Sequence, residues 1–336
     1  MMREILISSI LILIFLLNFA VGQKVANADE VTWATYLDAL ESGELVDIPA
    51  LSQGDKQPLN GLLFVPEGAG PFPAMVALHG AGGIFPYQAW WARQIANTGV
   101  VVLFLDSYCT RGYLCEHSTG DNDKRRGAIM RKWDKVSISQ RILDAAAGYR
   151  FLTAREFIDN KSIGLIGWSW DGTTALAVQK VAKKLQLPNG GFKGTIAFYP
   201  NLVHVQGHKQ WKKGGKIRQP TLILYGKADV IEDENSYLAL LDQGHPGPLK
   251  VVGFDGAVRK FDELGPHRIK EHPRFGAFPK GFHAGSFEKN IEEVLDFVES
   301  HFFAKNRSTH TQIQIPPPRP GWLISSRAFR KSGESL

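Results

Sequence analysis

The residues most able to do chemistry sit on a short turn in the middle of the chain. An apolar run, Ser162-Ile163-Gly164-Leu165-Ile166, leads into Gly167-Trp168-Ser169-Trp170-Asp171-Gly172, and a helical pattern starts at Thr173. A serine on so tight a strand-to-helix turn has its hydroxyl pushed out above the sheet. A glycine two residues earlier suits a backbone that doubles back and leaves no room for a Cβ. The helix start behind Ser169 supplies N–H groups and a positive dipole end, and the Trp170 N–H is the first expected donor to a developing oxyanion. The pattern is G-x-S-x-D-G, with Asp171 where a second glycine would stand. Either the Asp171 side chain crowds the neighbouring strand, or Gly172 takes over the close approach. A serine that only caps the helix is the alternative.

Two other loops gain meaning beside this turn. The apolar segment Ala74–Leu78 runs into His79-Gly80-Ala81-Gly82-Gly83. This is not a dinucleotide fingerprint, because the G-x-G-x-x-G spacing and a following acidic ribose ligand are missing. Next to a serine turn, such a loop supplies the second oxyanion N–H, from Gly80, Ala81 or Gly82, with His79 fixing the loop. Further on, Thr221–Tyr225 reads as a strand followed by Gly226-Lys227-Ala228-Asp229. In the chain order Ser, Asp, His the acid belongs here, and Asp229 is the candidate. An exposed turn aspartate or a helix cap is the alternative, with Asp233 close by as another capping residue.

The serine turn and the glycine loop together resemble the dienelactone hydrolase family of the α/β-hydrolase fold. The resemblance runs from about Leu59 to Phe302 and includes Leu105–Gly112 and the Arg141…Asp144 helix. It implies a serine-nucleophile branch nearer to general esterases than to the cysteine members, and a substrate that is a small carboxylic ester or lactone. The G-x-x-D turn at Asp229 matches the family. The next motif does not. The resemblance implies G-A-x-H-x-F-D, and this chain has Gly256-Ala257-Val258-Arg259-Lys260-Phe261-Asp262. A guanidinium stays protonated and cannot take a proton from serine. The remaining candidates for the base are His283, before the last predicted helix, and His267 on the same loop. A chain with no working base would be an impaired relative that binds without turnover.

The elements that must carry these loops alternate. β-rich apolar runs at Leu62–Val65, Ala74–Leu78, Val100–Leu105, Ser162–Gly167, Gly194–Tyr199, Thr221–Tyr225 and Leu249–Val252 fit buried parallel strands. Helical patterns lie between them at Gln88–Thr98, Val136–Phe157, Thr173–Lys184, Asn235–Gln243 and Phe287–Phe302. This predicts one α/β domain over 29–303, a mostly parallel sheet with helices on both faces. Trp90 and Trp91 read as core, whereas Trp168 and Trp170 suit either core or a pocket wall.

Composition excludes other classes. The chain has 336 residues, 44% hydrophobic and 21% charged, an ordinary globular balance. Its net charge of +6 divides into +1 over 1–28, +5 over 304–336 and none over the body. A neutral body has no electrostatic footprint for nucleic acid. No metal, nucleotide or calcium motif is present, so no cofactor is implied. Residues 1–28 read as a signal peptide: Arg3, an apolar run from Ile5 to Leu17, then Ala20-Val21-Gly22 or Ala26-Asn27-Ala28 as cleavage site. That predicts a periplasmic or secreted protein, touching membrane only through this segment if uncleaved. In an oxidising compartment Cys109 and Cys115 either close a small loop or stay as thiols. The stretch 304–336, with Pro316-Pro317-Pro318-Arg319-Pro320, reads as a disordered basic tail.

Overall fold

Strand and helix do alternate in the computed structural model, which describes residues 33–303 apart from 53, 56, 114–134, 203–215 and 273–275. These belong to a unit spanning Val25–His310; a second grouping, Met1–Lys24 with Thr311–Leu336, lies outside the described residues. The predicted signal peptide, basic tail and Cys115 fall on undescribed residues too. In chain order the elements are α1 (Trp33–Glu41), β1 (Glu44–Ile48), β2 (Leu59–Phe64), β3 (Phe72–Leu78), α2 (Pro86–Asn97) and β4 (Val101–Asp106). Then come α3 (Ile138–Thr153), β5 (Ile158–Trp168), α4 (Trp170–Leu185), β6 (Thr195–Phe198) and β7 (Thr221–Gly226). The chain ends its fold with α5 (Glu234–Asp242), β8 (Leu249–Phe254), a hairpin of β9 (Arg268–His272) and β10 (Gly276–Lys280), and α6 (Ala284–Phe302).

Eight strands form one sheet in the order β1-β2-β4-β3-β5-β6-β7-β8. β2 is antiparallel to both neighbours, and from β4 to β8 every pairing is parallel. This is the expected α/β architecture. Parallel strands buried on both faces need continuous apolar sequence, and β4 (VVLFLD) is buried at all six positions. One face is covered by α2 and α6, whose Trp90, Trp91, Phe287 and Val294 pack on Trp168 and Phe198. The other lies under α3 and α4, where Ala145, Ala146 and Ala175 close on Val76, Leu103 and Leu165. Trp168 and Trp170 are buried with the core tryptophans.

Three differences from the sequence reading stand out. α1 and β1 extend the fold at the N-terminal side, and 268–280 is a hairpin where a loop is expected. α3 is shorter than the pattern Val136–Phe157: it ends at Thr153, and it starts at Ile138 because Ser137 caps it, the Ser137 Oγ accepting from Gln140 N–H while Gln140 Oε1 accepts from the Ser137 N–H.

Register sets the site. Leu78 lies opposite Gly167, Trp168 opposite Phe198, Phe198 opposite Leu224, and Gly226 opposite Phe254. The carboxyl ends of β3, β5, β6, β7 and β8 are therefore level, and the loops that follow them emerge side by side, where α/β sheets place ligands.

Candidate active site

β5 runs straight into the serine turn. Ser169 has φ 55° and ψ −114°, a conformation that costs a non-glycine residue about 1–3 kcal/mol. It is held by the Ser169 N–H bond to Phe198 O at 2.8 Å and by Thr173 N–H donating to Ser169 O at 3.1 Å. The glycine requirement is real: a Cβ on Gly167 would lie 2.2 Å from Asp171 O. A Cβ on Gly172 would lie 3.0 Å from Phe198 O, so Gly172 makes the close approach to β6. Asp171 does not crowd that strand. Its buried carboxylate pairs with Arg141 Nη1 and accepts from Thr174 Oγ1 at 2.7 Å. Burial lifts the Asp171 pKa to about 6, with Arg141 working against the rise.

The glycine loop lies against this turn. A Cβ on Gly80 would stand 3.2 Å from Trp168 O and 3.4 Å from Ser169 Cβ. His79 is fully buried and structural: Nδ1 bonds Gly80 O at 2.6 Å, and Nε2 accepts from Ser107 N–H at 3.0 Å. Since C=O and N–H oppose each other across a trans peptide, this turns the Ala81 N–H to the side away from His79. Tyr108 Oη donates to Ala81 O at 3.0 Å and fixes the next peptide. The Ala81 N–H makes no backbone hydrogen bond among the described residues. Gly82 lets the Phe85 ring approach, since a Cβ there would be 2.6 Å from it. Trp170 is the first residue of α4, so its N–H points out of the helix start at the positive end of the dipole.

Asp229 follows β7 as expected, 4% exposed, with Oδ1 accepting from Ile231 N–H at 2.9 Å. Its partner is Arg259. Nη1 donates to Asp229 Oδ2 at 2.7 Å, while Nη2 donates to Ser169 Oγ at 2.7 Å, to Asn201 Oδ1 at 2.7 Å and to Tyr199 O at 3.2 Å. One guanidinium thus bridges serine and acid, in the place where the resemblance implies an imidazole. Burial is the largest single influence and opposes its charge, but the Asp229 carboxylate with Tyr237 and Tyr199 together offsets it, and the Arg259 pKa rises above its ordinary value. The group is a fixed cation.

The structure does not bring the expected histidines to Ser169. His283 caps α6, its Nδ1 3.1 Å from Ser286 Oγ, and bonds neither Ser169 nor Asp229. His267 Nε2 bonds Phe282 O at 3.0 Å. Backbone pairing explains this: Arg259 bridges to Lys280, Gly281 N–H reaches Arg259 O, and His283 N–H reaches Phe261 O. The segment carrying both histidines is thereby pinned along 259–261.

Three functional neighbours were missed from sequence. Asn201 and Tyr199 hold Arg259, and no motif marks either. Asp262, fully buried, accepts from Trp168 Nε1 at 3.0 Å and Tyr199 Oη at 2.9 Å. It ties the residue before the serine to the residue whose carbonyl holds Arg259. Burial pushes its pKa up to about 7 against those two hydrogen bonds. Cys109 is disulfide-bonded. No group of three His, Cys, Asp or Glu side chains among the described residues is arranged to hold a metal ion.

Comparison with known proteins agrees with this architecture. The dienelactone hydrolase family model matches residues 59–301. No curated protein matches the chain. Among solved structures, a dienelactone hydrolase-like promiscuous phosphotriesterase from metagenomic libraries is similar at 17% identity, over 78% of this chain and 100% of that one, with a TM-score of 0.55. Dienelactone hydrolase from Anabaena variabilis is similar at 15% identity over 78% and 100%, TM-score 0.52. Apo Thermogutta terrifontis esterase 2 is similar at 17% identity over 78% and 96%, TM-score 0.51.

Proposed function

We propose, from the premise that this chain belongs to the dienelactone hydrolase family, that it cleaves small carboxylic esters or lactones with Ser169 as nucleophile and the Arg259–Asp229 pair in place of an imidazole–carboxylate pair. The observation that carries this is the guanidinium bridge, 2.7 Å to Ser169 Oγ and 2.7 Å to Asp229 Oδ2. A permanent cation at that distance cannot accept the serine proton. It favours the alkoxide instead, so the nucleophile is activated by a lowered pKa, with solvent taking the proton. As Oγ attacks, the substrate carbonyl oxygen becomes an oxyanion, and the N–H groups of Trp170 and Ala81 are the donors assigned to it. The retained strain at Ser169 supports a working elbow, because such backbone conformations persist where they serve a site.

The chemistry has a signature. Histidine-dependent enzymes reach a plateau above the imidazole pKa, whereas acylation here rises with pH through the neutral range. The test is p-nitrophenyl acetate hydrolysis by the native chain beside Ser169→Ala. A burst of nitrophenol that is lost in the alanine variant, with acylation rising through neutral pH, supports the reading. A second reading, binding without turnover, is favoured by one fact: Ser169 Oγ receives its hydrogen bond from a charged donor. Folded native protein with no burst and no turnover would establish that second reading. Export to the periplasm or beyond belongs to the same proposal, supported by the N-terminal segment 1–28 and by the Cys109 disulfide. The N-terminal sequence of the mature chain tests it.

A further inference from the structure

We infer that the acylated Ser169 passes its acyl group to uncharged amines in preference to water, which makes the site an acyltransferase toward amine acceptors. This rests on the acyl-enzyme proposed above. Two observations carry it. The first is what touches Oγ: Arg259 Nη2 at 2.7 Å, on a guanidinium that Asp229, Asn201 and Tyr199 O hold in place. The second is how the candidate bases among the described residues are held. Asp229 Oδ2 is committed to Arg259 and Oδ1 to the Ile231 N–H, while His283 Nδ1 and His267 Nε2 bond Ser286 Oγ and Phe282 O and neither ring bonds Ser169 Oγ.

Water attacks an ester well only when a base removes its proton in the transition state. A neutral amine needs no such help to begin. Its nitrogen lone pair forms the C–N bond, and the carbonyl electron pair moves onto the oxyanion. Collapse of that intermediate re-forms the carbonyl and breaks the C–Oγ bond. Oγ leaves as an alkoxide against the Arg259 donor, and the proton on the new ammonium nitrogen passes to Oγ. The products are an amide and the serine hydroxyl, with no oxidant or other reactant consumed. Arg259 assists the departure of Oγ equally for every nucleophile, and among the described residues it is the side chain that hydrogen-bonds Ser169 Oγ. Intrinsic nucleophilicity then decides the acceptor. The fixed positive charge beside Oγ also disfavours an ammonium ion and selects the uncharged nitrogen.

The experiment acylates the native chain with p-nitrophenyl acetate and follows acetyl-Ser169 by intact mass, with and without hydroxylamine or propylamine. The lifetime of the acyl-enzyme should shorten in proportion to free amine. Hydroxamate or amide should exceed acetate by about ten-fold or more at amine concentrations far below that of water. The amine-dependent rate should follow the uncharged fraction of the amine, and the water-dependent rate should rise with hydroxide without a plateau. A lifetime indifferent to amine, with acetate the only product, would overturn the inference and leave the acyl-enzyme standing. A plateau in the water-dependent rate near neutral pH would mean that a base serves water, and would also overturn it. No detectable acyl-enzyme would overturn both this inference and the proposed function.

Discussion

Replacing Asp229 by asparagine separates the two roles that the geometry gives this carboxylate. Its side chain is fully buried and the Arg259 side chain is 4% exposed, so the substitution leaves a buried guanidinium without its counter-charge. Removing one partner of such a pair costs about 3–5 kcal/mol, through the charge left uncompensated. Arg259 keeps its bonds to Ser169, Asn201 and Tyr199 O, which favours the lower half of that range. At about 2–4 °C per kcal/mol, Tm should fall by roughly 6–16 °C. Activity should behave differently. In a serine–histidine–aspartate triad this change costs about 10⁴ in kcat, because the aspartate selects the histidine tautomer. A guanidinium has no tautomer to select, and losing the negative charge leaves Ser169 beside a less neutralised cation. Single-turnover acylation by the folded variant should stay within about ten-fold of native. The assay is stopped-flow nitrophenol release below the lowered Tm. A loss of 10³ or more in folded protein would mean that Asp229 serves a base, and the account of Arg259 would be wrong.

Other perturbations have definite expectations. Asp262→Asn should flatten the pH dependence of stability. Burial holds the native carboxyl near 7 against an ordinary 3.8, so the native form gives stability that is present below about pH 4 and lost as pH rises to about 7, at about 1.4 kcal/mol per unit; urea titrations at several pH values check this. Gly167→Ala places a Cβ 2.2 Å from Asp171 O and should cost about 3 kcal/mol or more, seen as loss of soluble protein or a large drop in urea midpoint. Asp171→Gly restores the missing glycine but leaves Arg141 buried with no carboxylate, so it should destabilise by about 3–5 kcal/mol, and Asp171→Gly with Arg141→Met should recover most of that in thermal melts.

Much of this was legible in the chain, for reasons that differ by element. The parallel strands read correctly because burial on both faces demands unbroken apolar runs such as Val101–Asp106. The strand–turn–helix around Ser169 was legible because only glycine fits at 167, a demand that sequence records directly. β1 did not: Glu44-Leu45-Val46-Asp47-Ile48 is an edge strand, largely exposed until Ile48. β9 and β10 did not, because Arg268-Ile269-Lys270-Glu271-His272 has the composition of a solvated loop and Pro279 interrupts its partner. The role of Arg259 was half visible. Sequence marked the position as a departure but sought a residue type able to take a proton, and so turned to His283 and His267. What decides the site is reach: a side chain long enough to put one nitrogen on Asp229 and another on Ser169. Asn201 had no signal, since its part is to accept one hydrogen bond from a residue 58 positions away.

The two departures from the expected motifs have the same physical form, and that argues against simple decay of an old site. A side chain that drifts into a buried position by chance brings an unpaired charge, which costs several kcal/mol. Asp171 instead meets Arg141, itself fully buried and also bonded to Tyr108 Oη and Val136 O. Arg259 meets Asp229, Asn201 and a backbone carbonyl, so that both its Nη groups donate, with Ser169 Oγ among the acceptors. Through Tyr108 the first network also reaches the Ala81 carbonyl, and through Tyr199 the second reaches Asp262 and Trp168. Each replaced residue is therefore braced to the glycine loop or to the serine strand. Such bracing is what holds reacting groups in place, where a displacement of about 1 Å costs roughly 10² in rate. Among the described residues a cation stands where the resemblance implies an imidazole, with the geometry around Ser169 held, which is the arrangement the proposed site needs if it is to form an acyl-enzyme quickly and release it slowly to water.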